Sequence, residues 1–284
     1  MTFLRLAIVA PALFAAILLR GAEPTSSPEQ TLKELVAREQ ALLADAAKNK
    51  DSPNFDSENF KSQLQQVADA YETLLNAQPD FTEAHVAYGQ MLWKIDMRKE
   101  AVAHLLTANK LNPDIPLVKN LLGDYLAEDG RPLEALPYFL AAIKLAPNEP
   151  LYHYNLGLLL YEARADFLKT GQWTRAKLDQ NMLKAFRRAA ELAPDRIEFA
   201  YRYAEAFNDF EAPDWDAALA VWRSLEPKVA PGFDRQVIVL QEANILLKQK
   251  KSDKARALLA TVTEPRLAGP KEKLIAQLPA EAVK

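Results

Sequence analysis

The chain has 284 residues, 49% of them hydrophobic, so it is long and apolar enough to bury a core and is not mostly disordered. With 35 Lys and Arg against 38 Asp and Glu, its formal charge of −3 argues against a nucleic-acid binder, which would carry a basic face. It has no cysteine, which excludes disulfides, thiolate metal sites, a cysteine nucleophile and a lipid-modified cysteine.

In chain order, residues 1–22 come first. Arg5 precedes the apolar run Leu6–Leu19, which Arg20-Gly21-Ala22 interrupts and Glu23-Pro24-Thr25-Ser26-Ser27-Pro28 follows. The run contains Pro11 and is shorter than the ~20 residues a membrane span needs, so it reads as a secretory signal, with an uncleaved N-terminal anchor as the alternative. Loss of Arg5 and Arg20 would take the formal charge from −3 to −5.

The remainder is rich in good helix formers, with 8 glycines and 18 prolines, which predicts an all-α chain whose prolines sit in connections. Residues 23–56 hold a helix over about 31–47 and the turn Asp51-Ser52-Pro53-Asn54. Residues 57–81 form a half repeat, already in register at Tyr71, Leu74 and Pro79.

A fixed period follows. Pro79, Pro113 and Pro147 are 34 residues apart, and so are Gly89, Gly123 and Gly157. Ala101 and Ala135, Ala108 and Ala142, and the series Tyr71, Leu105 and Phe139 keep the same interval. The glycines stand on the face of a first helix, beside Tyr88, Leu122, Leu156 and Leu92, Leu126, Leu160, and allow close approach of a second helix. That second helix offers a small-large-small stripe of Ala, Leu or Phe, and Ala. Proline followed by Asp or Asn (Pro79-Asp80, Pro113-Asp114, Pro147-Asn148, Pro194-Asp195) stops it and offers a capping side chain near the next helix. The repeats are 82–115, 116–149, 150–196, 197–232 and 233–268, the last two degenerate, with a C-terminal capping helix in 269–284. Phe186, Ala189 and Pro194 lie 47 residues after Phe139, Ala142 and Pro147, so the repeat at 150–196 carries 13 extra residues. Placed around Ala163–Thr174, they would lengthen both helices of that hairpin by about two turns each and make it project.

Leu122-Gly123, Ala135, Phe139, Ala142, Pro147 and Leu156-Gly157 resemble the tetratricopeptide signature, L-G-x2-Y, A-x3-F and a closing proline over 34 residues. His85, Lys119 and His153 stand where that signature has an aromatic. The resemblance implies a right-handed α-solenoid of antiparallel helical hairpins, and a non-catalytic scaffold or adaptor of the bacterial cell envelope, periplasmic or tethered to the inner membrane by residues 1–22.

The resemblance also implies that positions 2, 5, 9, 12 and 13 of each first helix line a concave groove. These carry the acids Glu83, Asp124, Glu128, Glu162, Glu198, Glu205 and Asp209, the single base Lys94, and the aromatics Trp93, Tyr154, Tyr161 and Tyr201. Such a groove would suit a Lys/Arg-rich protein or peptide. The other reading is that the acids solvate a helix face and the rings pack between helices. Phe167 and Trp173, near the tip of the lengthened hairpin, either anchor a partner or close the hairpin on itself.

Little points to chemistry. His85 and His153 stand two repeats apart, on the order of 20 Å from helix diameters of ~10 Å, and cannot share a metal. Packed or rim positions suit these two and His104. No phosphate-binding loop, nucleophile elbow, metal motif or cofactor motif occurs. The acidic pairs Glu128-Asp129 and Asp214/Asp216 fall in expected solvated turns. The competing reading is a helical-hairpin enzyme or a periplasmic saccharide or small-ligand binder, which would need a closed pocket with convergent carboxylates.

Overall fold

A computed structural model describes residues 27–52 and 55–279. The expected leader, residues 1–22, and Pro53-Asn54 of the first turn lie outside the described residues. Fourteen α-helices and no strands occur among the described residues. The chain divides into two compact units between Tyr125 and Leu126, within α5 (Pro116–Glu128).

The first unit starts with α1 (Pro28–Asn49) and α2 (Ser57–Ala77). Pro28 sits at the first turn of α1, where its missing N–H costs nothing. The Asp56 carboxylate caps α2 by accepting from the Asn59 backbone N–H at 2.9 Å. α3 (Thr82–Lys94) and α4 (Arg98–Leu111) form the next hairpin. Leu32, Val67, Tyr71, Met91, Leu92 and Ala101 are buried in one cluster across these helices.

The second unit holds α6 (Pro132–Leu145), α7 (Pro150–Glu162), α8 (Arg164–Lys169) and α9 (Arg175–Leu192). They are followed by α10 (Ile197–Ala206), α11 (Trp215–Leu225), α12 (Phe233–Lys248), α13 (Ser252–Thr261) and α14 (Ala268–Ile275). Successive long helices pack as hairpins, and α7 packs on α9 across the short α8. Trp222 is fully buried among Ala204, Phe207, Ala218 and Ile238, and Leu240, Leu259 and Val262 form the core near the C-terminus.

Two turn designs join these helices. Within hairpins, Asp96, Gly130 and Lys250 adopt left-handed backbone with φ of 67°, 75° and 60°. In each case the next N–H reaches back five residues, Met97 to Leu92 O, Arg131 to Leu126 O and Lys251 to Leu246 O, which satisfies carbonyls that a helix end leaves bare. Between hairpins, Phe81 N–H bonds Gln78 O, Glu149 N–H bonds Ala146 O and Arg196 N–H bonds Ala193 O. Proline with Asp or Asn therefore fills the middle of a β-turn, where fixed φ favours it. The expectation that these Asp and Asn side chains cap the following helix is corrected. Phe81, Glu149 and Arg196 hold the N-cap positions, and among them only Glu149 caps with its side chain.

The lengthened hairpin differs from expectation as well. α7 has 13 residues, the length of α3, and gains nothing. The insertion instead builds α8, a link over 170–174 and about one more turn of α9. No left-handed residue follows α7, so the chain runs on from Ala163 at φ −95° directly into α8. Phe167 is 1% exposed and meets half-buried Trp173 edge-to-face at 5.7 Å. The reading of Phe167 as a partner contact is thereby overturned, because its ring has no free surface; the two rings hold α8 down.

Close approach at glycine is seen in both units. A Cβ on Gly89 would lie 3.1 Å from Leu105 side-chain atoms, whereas one on Gly157 would lie 2.6 Å from the Phe186 ring. Glycine inside a helix costs about 0.5–1 kcal/mol relative to alanine. Gly89→Ala should thus be near neutral in thermal unfolding, since Leu105 can give by a few tenths of an ångström. Gly157→Ala should cost ~1–3 kcal/mol, because a fully buried ring cannot. Equal melting temperatures for the two variants would contradict this packing.

Candidate functional site

In the first unit the candidates are Glu83, Trp93 and Asp124. Glu83 is exposed in the first turn of α3. Trp93 is half-buried, with the Arg98 guanidinium 4.0 Å from its ring centroid. The Asp124 carboxylate accepts from the Asn120 side-chain amide at 3.0 Å. Lys94, the one base expected on the inner row, bonds the buried Glu39 carboxylate at 2.9 Å, and the Tyr71 hydroxyl donates to the other Glu39 oxygen at 3.1 Å. Tyr88 stacks on Tyr71 at 5.1 Å and donates to Glu72 at 3.1 Å. Burial, then the nearby carboxylates, push both tyrosine hydroxyls above their ordinary range, so both stay protonated donors.

Two histidines belong to this network. His85 Nε2 lies 2.9 Å from Pro79 O, which can only accept, so this nitrogen carries its hydrogen. His85 Nδ1 faces His104 Nδ1 at 3.0 Å, and the two rings share one hydrogen there. The His104 ring also lies 4.6 Å from that of Tyr88. His153 repeats the first bond in the second unit, with Nε2 2.8 Å from Pro147 O. At both places histidine ties its helix to the preceding proline turn, which gives the position a structural role.

In the second unit the candidates are Glu128, Tyr154, Tyr161, Glu162, Tyr201, Glu205 and Asp209. Tyr154 packs edge-on against Phe186 at 5.7 Å and tilts against Phe199 at 4.7 Å; Tyr201 meets Trp222 edge-to-face at 4.8 Å. Both rings are half-buried and serve helix packing. Tyr161 is different: it is 36% exposed, with the Arg202 guanidinium 4.0 Å from its centroid and that of Arg164 at 5.6 Å. Arg202 also stands 4.8 Å from the buried Phe186 ring. Glu128 and Glu162 are exposed at the ends of α5 and α7.

Arginines that the repeat columns do not contain surround Tyr161. The Asp179 carboxylate, 2% exposed on α9, accepts from Arg175 Nε at 2.8 and 2.9 Å and pairs with Arg164 Nη2 at 3.3 Å. Arg175 Nη2 donates to the Asp209 backbone carbonyl, and the Asp209 carboxylate lies 3.8 Å from Arg202 Nη1. The picture of seven acids against a single base is therefore corrected here, since Asp209 already has an arginine and Glu198 has Arg196 at 2.6 Å. The Glu205 carboxyl is pushed above the usual carboxylate range, chiefly by burial; Arg202 opposes the shift and Asp209 adds to it. Arg164 and Arg175 escape sequence reasoning because they fall on the insertion and the extended turn of α9, outside the 34-residue register, and Asp179, level with Pro132 of α6, belongs to no recurring column.

Among the described residues no group of three or more His, Asp and Glu could hold a metal ion, and no helix is long and apolar enough to cross a membrane. A cavity of about 310 Å³ between α12 and α14 is lined by Leu240, Asn244, Pro270, Lys273, Leu274 and two glutamines, with no carboxylate.

Comparison with known proteins gives the repeat its family. The tetratricopeptide-repeat family model matches residues 98–150 and 120–166. A comparison with curated protein sequences gives no significant match. Among solved structures, PilF of Pseudomonas aeruginosa is similar at 16% identity and TM-score 0.58, over 88% of this chain and 99% of that one. PilW, described as a type IV pilus biogenesis factor, is similar at 14% identity and TM-score 0.54, over 85% of this chain and 98% of its own. MamA of Desulfovibrio magneticus RS-1 follows at 16% identity and TM-score 0.50, over 70% and 94%. The fold is that of the tetratricopeptide helical solenoids.

Two outcomes test the electrostatics. Asp179→Asn strands two arginines that are 16% and 31% exposed, and should lower unfolding stability by ~3 kcal/mol. A loss under about 0.5 kcal/mol would mean that the cluster is solvated. Burial, then His85, depresses the His104 pKa below 6.5, with Glu72 opposing. The unfolded chain then binds the proton more readily, so His104 contributes stability that is present above pH ~6.5 and is lost as pH falls below it. Urea unfolding of the wild type between pH 7.5 and 5.5 should show this decline, and His104→Leu should flatten it.

Proposed function

We propose that this tetratricopeptide-repeat protein is a non-catalytic interaction scaffold of the bacterial cell envelope, holding a segment of a partner protein against the first helices of its repeats. The observation that carries the reading is Tyr161. It is a large ring left substantially exposed on α7, stiffened from behind by Arg202 and flanked by the exposed Glu162. A ring held rigid at little entropic cost is a good anchor for a partner side chain. The envelope placement is supported by the leader-like residues 1–22 and by the similarity to PilF and PilW.

The partner is a Lys/Arg-rich segment whose cations face Glu162 and Glu205, with Glu128 further along. A half-buried carboxyl such as Glu205, raised by desolvation, gains from a cation that favours its charged form. Tyr154 and Tyr201 support the surface by packing, and Trp173 contributes only its exposed edge. In the first unit Glu83, Trp93 and Asp124 are the candidates for the same kind of contact.

The test is titration of a labelled Lys/Arg-rich peptide into the protein at low and high salt. Tyr161→Ala and Glu162→Lys should each weaken binding about tenfold, or ~1.4 kcal/mol, and Glu162→Lys should do so with thermal stability unchanged. Binding should also tighten as pH rises through the raised Glu205 titration. Binding indifferent to salt and to both substitutions would refute the proposed surface.

A further inference from the structure

The aromatic candidates of the inner row are engaged within their own chain. Trp93 has the Arg98 guanidinium 4.0 Å from its centroid, and Arg98 donates to Asp96 at 2.9 Å. Tyr154 packs on the rings of Phe186 and Phe199, and Tyr201 on that of Trp222. Tyr161 keeps the largest exposed fraction, 36%, yet it has Arg202 at 4.0 Å and Arg164 at 5.6 Å from its centroid. A ring attracts a cation through the negative potential of its π system, and a guanidinium already seated there repels a second positive charge.

The two arginines at Tyr161 are held in place. Their side chains are 16% and 13% exposed; Arg164 pairs with the buried Asp179 at 3.3 Å, and Arg202 with Asp209 at 3.8 Å while also lying 4.8 Å from the Phe186 ring. Moving either aside would leave a carboxylate without its cation, at a high cost where that carboxylate is buried. Their charge is also incompletely offset, because Arg164 Nε and Arg202 Nη2 are buried with no hydrogen-bond partner. A lysine or arginine of a partner therefore meets positive charge at this ring and negative charge at its neighbours Glu162 and Glu205. An apolar side chain covers the exposed part of the ring without giving up the hydration of a cation. We infer that the partner residue seated on Tyr161 is apolar, set between the basic residues that face Glu162 and Glu205. This rests on the surface proposed above and narrows its occupant from a uniformly basic segment to one in which an apolar residue interrupts the cations.

Two labelled peptides that differ at one central position test this, one of lysine throughout and one with leucine between lysines, each titrated into the full chain at the same salt. The leucine peptide should bind about threefold tighter or better, although it carries one charge fewer. Tyr161→Ala should erase that preference. Arg202→Gln, which takes the cation off the ring, should bring the two peptides level or reverse their order; both peptides are compared on the same protein, so a change in stability cancels. If the all-lysine peptide binds the wild type as tightly as the leucine peptide, or if the preference survives Tyr161→Ala or Arg202→Gln, the inference is overturned, while weakening of both peptides by Glu162→Lys would leave the surface standing. Failure of both peptides to bind, or binding indifferent to Glu162→Lys, would remove the surface and the inference together.

Discussion

The structure depends on one close approach: a first helix that gives up its side chain at a single position so that the bulkiest residue of the second helix can enter. At Gly157 the space is filled by Phe186 so fully that even a methyl group would collide with the ring. At Gly89 the partner is Leu105 and the fit is looser. Burial of a large apolar side chain is worth about 1.5–3 kcal/mol, and close packing adds dispersion contacts that a wider spacing would forfeit. Turns, caps and histidine ties then fix the direction in which the next hairpin leaves. They are individually modest, but each recurs at its register position, as in a repeat protein whose stability sums over neighbours.

The insertion shows what happens when one of these recurrent devices is absent. Where Asp96 and Gly130 turn the chain through left-handed backbone, the third hairpin has Arg164 in the equivalent position, and the chain continues into α8. The same arginine then becomes useful. It joins Arg175 and Arg202 around Asp179 and Asp209, binding the added helix to α9 and α10 by charge where the repeat offers no apolar socket. Phe167 and Trp173 supply the apolar part of that attachment.

This division explains what was legible in the sequence. Columns spaced by 34 residues report on packing within the repeat, so helix positions, the glycine contacts and the proline turns could be read from them. Side chains that matter only because the chain departs from the period leave no column. Asp179 and Arg175 are four apart on a helix with many charges and look like any surface pair, yet Asp179 is buried. The His85–His104 contact crosses a hairpin between positions with no shared spacing. Tyr154, Tyr161 and Tyr201 occupy equivalent inward positions by count, and only the surrounding helices decide that two are packed and one presents its face.

Three buried or half-buried titratable groups respond to acid in opposite senses. In the first unit, burial and then His85 hold the His104 pKa down, so an added proton on His104 opposes the fold. In the second, Glu205 and Glu242 are carboxyls that burial already pushes toward the neutral form, so added protons relieve a desolvation penalty. Acid therefore acts in opposite directions at these two places, against the histidine contact and in favour of the neutral form of the two carboxyls.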